Sequence, residues 1–224
     1  MSDSTAQHIW DLVHDERRAL ITDLSTLNQE QWNGASDAAG WSVHDVAAHL
    51  VDNALTTGPR LFRAMLRAGF NFDRQNANGV AAQRAATPEQ TLEGLKAAAA
   101  SRTGPPAPLA SRLVEEIAHG EDIRRAVGIR RDYPVQALEY AIRYQAGTPQ
   151  AFSGTKELAQ RVQLVSDDER FSMGLGPRIM GTRLALLMVL SGRTVDAAEL
   201  SGPGLAYLPP WQLIRTGQVV LNHP

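Results

Sequence analysis

The sequence predicts a mainly α-helical protein, in which a helical bundle over residues 1–150 precedes a small α+β region over residues 151–224. Two observations support this prediction. Apolar residues recur at the roughly 3.6-residue period of a helix through most of the first 150 positions. After about residue 154 the pattern changes to the alternation that is typical of strands. A hydrophobic content of 43% in 224 residues is enough to form a real core.

The predicted bundle helices are delimited by start and stop signals. Ser42 is suited to be an N-cap, and Asp45 three residues later completes a capping box. Thr87 is an N-cap followed by proline at the first helical position, and Gly128 is typical of the residue that ends a helix. The predicted helices cover residues 6–27, 42–66 with a bend at 58–59, 87–102, 109–127 and 133–147, with a helical turn at 29–32 and a loop at 71–86.

The predicted α+β region begins with a hairpin. Residues 161–166 alternate between apolar and polar side chains, the run SDDE supplies a turn, and residues 171–175 alternate again. The apolar segment GTRLALLMVL then predicts a buried helix that ends at Gly192, and SGPGLAYLPPW after it is irregular.

Composition excludes several classes of function. The 22 basic and 24 acidic residues give a net charge of -2, which does not favour nucleic acid as a partner. No apolar run approaches the length of a membrane span, and the N-terminus lacks the features of a signal peptide, so we expect a soluble, cytoplasmic protein without a membrane partner. The absence of cysteine excludes disulfides, thiolate metal ligands and a cysteine nucleophile, so any thiol must come from outside.

Histidine and glutamate on two predicted helices form a candidate metal site. Glu115 and His119 are four residues apart and therefore share one helix face. With His49 from the helix over residues 42–66, the chain offers two imidazoles and one carboxylate to a divalent metal, which leaves coordination positions open. This ligand set is typical of catalytic sites.

Simpler interpretations exist for each of these residues and their neighbours. A single helical histidine is usually a surface group or a satisfied core group, and the spacing of Glu115 and His119 also arises by chance. Asp45 is four residues before His49 and is a rival ligand, although capping explains it without a metal. His44 lies about 140° around the helix from His49, so the two cannot face one metal. Weaker candidates are His8, His14 and, in the terminal tail, His223.

The metal hypothesis also predicts a topology. His49 lies about 10 Å along its helix from Ser42, while Glu115 and His119 lie about 9 and 15 Å from Leu109, at about 1.5 Å per residue. If alternate helices of the bundle run parallel, the three ligands come to similar heights. We therefore expect the helices that carry His49 and His119 to be parallel, since an antiparallel pair would place His49 at the far end and rule out the site.

The motifs resemble a known family. The pattern W-S-V-x-D-V-x-A-H-L at positions 41–50 and E-x-x-x-H-x-x-D at positions 115–122, with Gly128 closing the helix, resemble the DinB-like four-helix-bundle metalloenzymes. The similarity is greatest to the mycothiol-dependent maleylpyruvate isomerases. Later Gly-Arg and Gly-Pro-Gly segments, at 192–193 and 202–204, are similar to the C-terminal part of many members.

The resemblance implies a bound divalent metal and a low-molecular-weight thiol cosubstrate. It assigns the metal ligands to His49, Glu115 and His119, with zinc as the expected ion and mycothiol as the expected thiol. Nickel and iron suit the same ligands. Asp122 matches the acidic residue that follows the second histidine, and because it lies near the ligand face we expect it to support a ligand or helix packing.

The predicted function is activation of that thiol for isomerisation of, or transfer to, a small molecule. A divalent metal lowers the pKa of a bound thiol toward neutrality. Anionic substrates or cofactors need cationic anchors, for which Arg60, Arg84 and Arg193 are candidates, although a solvated basic face explains each of them as well. No catalytic acid or base is assigned.

Two other functions stay open at this point. The protein could be a metal-dependent hydrolase that uses no thiol, or a noncatalytic metal-binding or regulatory protein built on the same bundle. The sequence also leaves open a homodimer.

Overall fold

The structure is a computed structural model that describes residues 3–214, and its contacts divide the chain into two units, residues 1–132 and 133–224. The helices of the first unit are α1 (Asp3–Leu24), α2 (Gln29–Asn33), α3 (Val43–Leu55), α4 (Gly58–Arg67), α5 (Phe72–Gln83), α6 (Pro88–Ala98) and α7 (Ser111–Val127). The second unit contains α8 (Val135–Gly147), α9 (Lys156–Ala159), α10 (Arg183–Leu190), β1 (Gln163–Ser166), β2 (Ser172–Gly174), β3 (Arg178–Gly181), β4 (Val195–Asp196), β5 (Leu200–Ser201) and β6 (Leu213–Ile214). The predicted mainly helical fold with a small C-terminal sheet is confirmed.

Helices α1, α3, α6 and α7 form the bundle of the first unit. Each contributes fully buried side chains to one core, among them Leu20 of α1, Leu50 of α3, Leu95 of α6 and Ile123 of α7. Burial of each such side chain stabilises the fold by about 1.5–3 kcal/mol relative to exposure. This shared core fixes the helices that carry the candidate ligands.

The predicted helix boundaries of the bundle are largely confirmed. Ser42 and Asp45 form the capping box at the start of α3. The side chain of Thr87 caps α6 ahead of its proline, and Gly128 ends α7 with a φ of 74° in the left-handed region. A short α2 lies where the helical turn was predicted, with its own capping box from Asn28.

The loop predicted over residues 71–86 is wrong, because this segment forms α5. Its sequence is polar, so it shows little helical periodicity, but Asn71 caps the first turn by accepting a hydrogen bond from the backbone of Arg74. Packing against α3 also stabilises α5. The single helix predicted over residues 42–66 is also divided, since α3 ends at Leu55 and Thr57 caps α4.

Helices α3 and α7 are antiparallel, so the predicted parallel arrangement is wrong. His49 lies beside His119, whereas Asn53, one turn later on α3, contacts Arg112 near the start of α7. The expectation failed because α4 and α5 form a crossover that lets α6 run in the same direction as α3. The three ligands still meet, because His49 is the middle residue of the 13-residue α3. A residue at the middle of a helix keeps its position along the bundle axis when the helix runs in the opposite direction.

The second unit contains a four-stranded sheet in the order β2-β1-β3-β5 and a two-stranded sheet of β4 and β6. The predicted hairpin is the antiparallel pair β1 and β2, and α10 is the predicted buried helix. The expected division at residue 150 differs from the observed one at 132, because α8 packs its buried face against α10. No helix within residues 3–214 is long and apolar enough to cross a membrane.

Candidate metal centre

Three side chains predicted as metal ligands converge between α3 and α7. The Nε2 atoms of His49 and His119 each lie 3.6 Å from Oε2 of Glu115. The three ligand atoms lie within 4.8 Å of one another. His49 is buried, whereas Glu115 and His119 are partly exposed, so a small molecule can reach the group. The structure therefore brings together the residues that the sequence singled out.

The donor set and its spacing suit a divalent metal. Ligand atoms at about 2.0–2.2 Å from a tetrahedral zinc ion lie about 3.4 Å from one another. The two 3.6 Å separations are close to this value. The ligand nitrogens of the two histidines lie within 4.8 Å of each other. Two neutral imidazoles and one carboxylate would leave at least one position for water or substrate.

Asp122 holds one of the two histidines in a defined orientation. Its Oδ2 lies 3.0 Å from Nδ1 of His119, and its side chain is 0% exposed. A carboxylate at this distance is an acceptor for a proton on Nδ1, so Nε2 is the ring atom that faces Glu115. By contrast, Nδ1 of His49 is buried and has no hydrogen-bond partner in the described part of the chain.

Asn53 and Arg112 join the site, although the sequence analysis assigned them no role. Nδ2 of Asn53 donates to Oε2 of Glu115 at 2.6 Å and lies 3.4 Å from Nε2 of His49. Nη1 of the buried Arg112 donates to Oδ1 of Asn53 at 3.0 Å, which fixes the direction of the amide. The sequence did contain a signal that these two residues lie near the ligands. Asn53 follows His49 by four residues and Arg112 precedes Glu115 by three, so each shares a helix face with a ligand.

Trp41 covers the two histidine rings. Its ring centroid lies 5.0 Å from that of His49 and 6.3 Å from that of His119. The indole therefore forms an apolar wall beside the ligand atoms and limits the access of water. Trp41 is the first residue of the motif at positions 41–50, but the sequence alone did not indicate this contact.

The charge of Glu115 is stabilised at the site. Without a metal, burial raises the pKa of this carboxyl, but the contact with His49 and the positive charges of protonated His119 and of Arg112 more than offset it, so the pKa lies well below its usual value. Glu115 is therefore ionised throughout the neutral pH range, as a metal ligand must be.

The rival histidines and carboxylate have structural partners elsewhere. Oδ2 of Asp45 accepts the backbone N–H of Ser42 in the capping box. Nε2 of His44 lies 2.7 Å from Oγ1 of Thr91, on the α6 side of the helix. Nε2 of His14 lies 3.3 Å from the carbonyl oxygen of Ser101. His8 lies on α1, and His223 lies outside the described residues.

The three candidate anchor arginines are distributed over the chain. Nη2 of Arg60 pairs with Oδ1 of Asp52 at 2.8 Å, and Nε of Arg84 pairs with Oδ1 of Asp45 at 2.8 Å. Arg193 lies in the second unit, where it donates to the carbonyl oxygen of Ser191. A role of these residues in binding a thiol or substrate stays a prediction.

Comparisons with known proteins agree with this architecture. In a comparison with solved structures, mycothiol-dependent maleylpyruvate isomerase is similar with a TM-score of 0.62 and 15% identity, over 88% of this chain and 92% of that chain. A variant of that isomerase with one histidine replaced by alanine gives a TM-score of 0.61 and 14% identity over the same shares. A comparison with curated protein sequences gave no significant match.

A family model covers the first part of the bundle. Residues 13–112 match the mycothiol maleylpyruvate isomerase N-terminal domain, a family that is named for an enzyme. The match includes His49 and Asn53 and ends at Arg112, just before Glu115. The resemblance seen in the sequence is thus confirmed over residues 13–112, which match the model of this domain family.

Proposed function

We propose that the chain is a metal-dependent enzyme that activates a low-molecular-weight thiol, with mycothiol as the first candidate, for isomerisation of or transfer to a small molecule. The observation that carries the proposal is the convergence of His49, Glu115 and His119 at ligand spacing, with Asp122 behind His119. The family of residues 13–112 supports the choice of thiol and of a substrate like maleylpyruvate.

The residues of the site have distinct roles in this proposal. His49, Glu115 and His119 hold the ion, which when bound supplies a positive charge that lowers the pKa of a thiol toward neutrality. Asp122 keeps the proton of His119 on Nδ1, so that Nε2 stays a ligand. Trp41 limits the access of water to the reacting groups.

The chemistry that follows needs no cysteine from the chain, in agreement with its composition. A thiol that has lost its proton can add to an activated carbon–carbon double bond. Rotation about the resulting single bond and expulsion of the thiolate then give the isomer, with no net consumption of thiol. With a substrate that carries a leaving group, the same thiolate displaces that group and transfer results.

The test is turnover of maleylpyruvate by the metal-loaded protein with and without mycothiol. We expect isomerisation that requires both the metal and the thiol, and that falls to the background rate in His49→Ala but persists in His8→Ala. Hydrolysis of activated esters without any thiol would instead indicate the hydrolase. Bound metal without turnover of either substrate would indicate a noncatalytic metal-binding protein.

A further inference from the structure

A cavity that is distinct from the metal centre lies between α4 and α5, beside α3. It has a volume of about 410 Å³, and Asp52 of α3 lies in its wall. His49 and Asn53 on the same helix contact α7, whereas Asp52 contacts Arg60 of α4 and approaches Gly79 of α5. The cavity therefore opens on another face of α3, and we call it the α4–α5 cleft.

Three arginines line one side of the α4–α5 cleft. Arg60, Arg63 and Arg67 are spaced at i, i+3 and i+7 and so share one face of α4. Asp52 neutralises Arg60. Within residues 3–214 neither Arg63 nor Arg67 forms a salt bridge, so the cleft carries two uncompensated positive charges.

An amide lies on the opposite side of the cleft. Gln75 of α5 lines the cleft and is only 8% exposed. Its side chain makes no hydrogen bond to any residue that the structure describes. An acceptor group inside the cleft would accept a hydrogen bond from Nε2 of this amide.

The remaining wall is mixed, since Thr56 and Asn78 add polar groups to aliphatic surface. Leu61, Ala64 and Ala82 supply aliphatic surface. Gly79 allows α5 to lie close to Asp52 of α3, because a Cβ atom at this position would lie 2.4 Å from Oδ2 of Asp52. The cleft thus combines cationic groups, the amides of Gln75 and Asn78 and some apolar surface, in a volume that suits a small molecule.

We infer that the α4–α5 cleft binds a small organic anion. The guanidinium groups of Arg63 and Arg67 and the amide of Gln75 take its carboxylate, and the aliphatic wall takes its apolar body. Asp52 positions Arg60 and keeps that side of the cleft neutral. This site would act independently of the metal, either as an effector site or as a site for a second organic acid.

The test is isothermal titration of the metal-loaded full chain with benzoate, with its uncharged analogue benzamide and with inorganic phosphate. We expect saturable binding of benzoate that is at least about tenfold tighter than that of benzamide or phosphate, because charge-assisted hydrogen bonds and apolar contact are both needed. The double variant Arg63→Gln/Arg67→Gln should lose at least about tenfold in affinity, and Arg67→Gln alone should lose part of it.

Two controls locate the binding. Arg74→Gln removes an exposed arginine of α5 that does not line the cleft, and it should bind benzoate like the wild type. His49→Ala should keep the benzoate affinity, while the double arginine variant should keep its metal content. Equal binding of benzoate and benzamide, binding of phosphate as tight as that of benzoate, unchanged affinity in the double variant, or no saturable binding at millimolar ligand would overturn the inference. None of these outcomes bears on the metal centre.

Discussion

The chemistry of the candidate centre depends on which atom of each side chain faces the ligand group. Asp122 contacts Nδ1 of His119, so Nε2 faces Glu115, and Arg112 turns the Asn53 amide so that its nitrogen donates to the same carboxylate. Residue types and spacing were sufficient to predict that His49, Glu115 and His119 converge. The orientation of Asn53 could not be predicted, because it depends on a contact between two helices whose relative direction was unknown.

Asp122→Asn tests the support of His119. The amide has the same shape but no charge, and we expect metal affinity to fall by about 10- to 100-fold, since the imidazole loses its carboxylate partner. The measurement is competition with a chelator of known affinity. Asp15→Asn, an exposed change on α1, is the control. Equal metal affinity in the Asp122 variant and the wild type would show that Asp122 serves helix packing alone.

At the scale of elements, α3 connects the two candidate sites to the core. It was predictable as a helix because its capping box is encoded locally. The helical state of α5 was not predictable, since it depends on packing against α3. The missed α5 also explains the wrong topology, because without the crossover through α4 and α5 the helices would alternate in direction.

His44→Gln tests the contact between α3 and α6. His44 is 1% exposed, and burial together with the nearby charge of Arg84 lowers its pKa. As the pH falls below the usual histidine pKa, the unfolded chain takes up a proton that folded His44 does not, so the wild type loses stability with decreasing pH. This contribution is at most about 1.4 kcal/mol per pH unit, and the variant lacks it.

The measurement for His44 is the free energy of unfolding in urea between about pH 7 and about pH 5. The curve of His44→Gln should fall less steeply than that of the wild type. His14, whose pKa burial also lowers, is present in both proteins and cancels in the comparison. Parallel curves would contradict the account of His44 as a neutral core group.

At the scale of the whole molecule, the fold of each unit was predicted from a different pattern in the sequence. Helical periodicity predicted the bundle, and strand alternation predicted the hairpin of β1 and β2. The boundary between the two units was harder to predict. Helix α8 has the same periodicity as the bundle helices, but it packs against α10 in the second unit. Similarity to solved structures extends over 88% of the chain and therefore includes residues of both units.

The most direct test of the account is the metal content of the purified protein. Elemental analysis of the wild type, beside His119→Ala and the control His8→Ala, measures whether the trio of His49, Glu115 and His119 holds an ion. We predict one divalent metal per chain in the wild type and in His8→Ala, and little or none in His119→Ala. A wild-type protein without stoichiometric metal after reconstitution, or a His119→Ala variant with unchanged metal content, would contradict it.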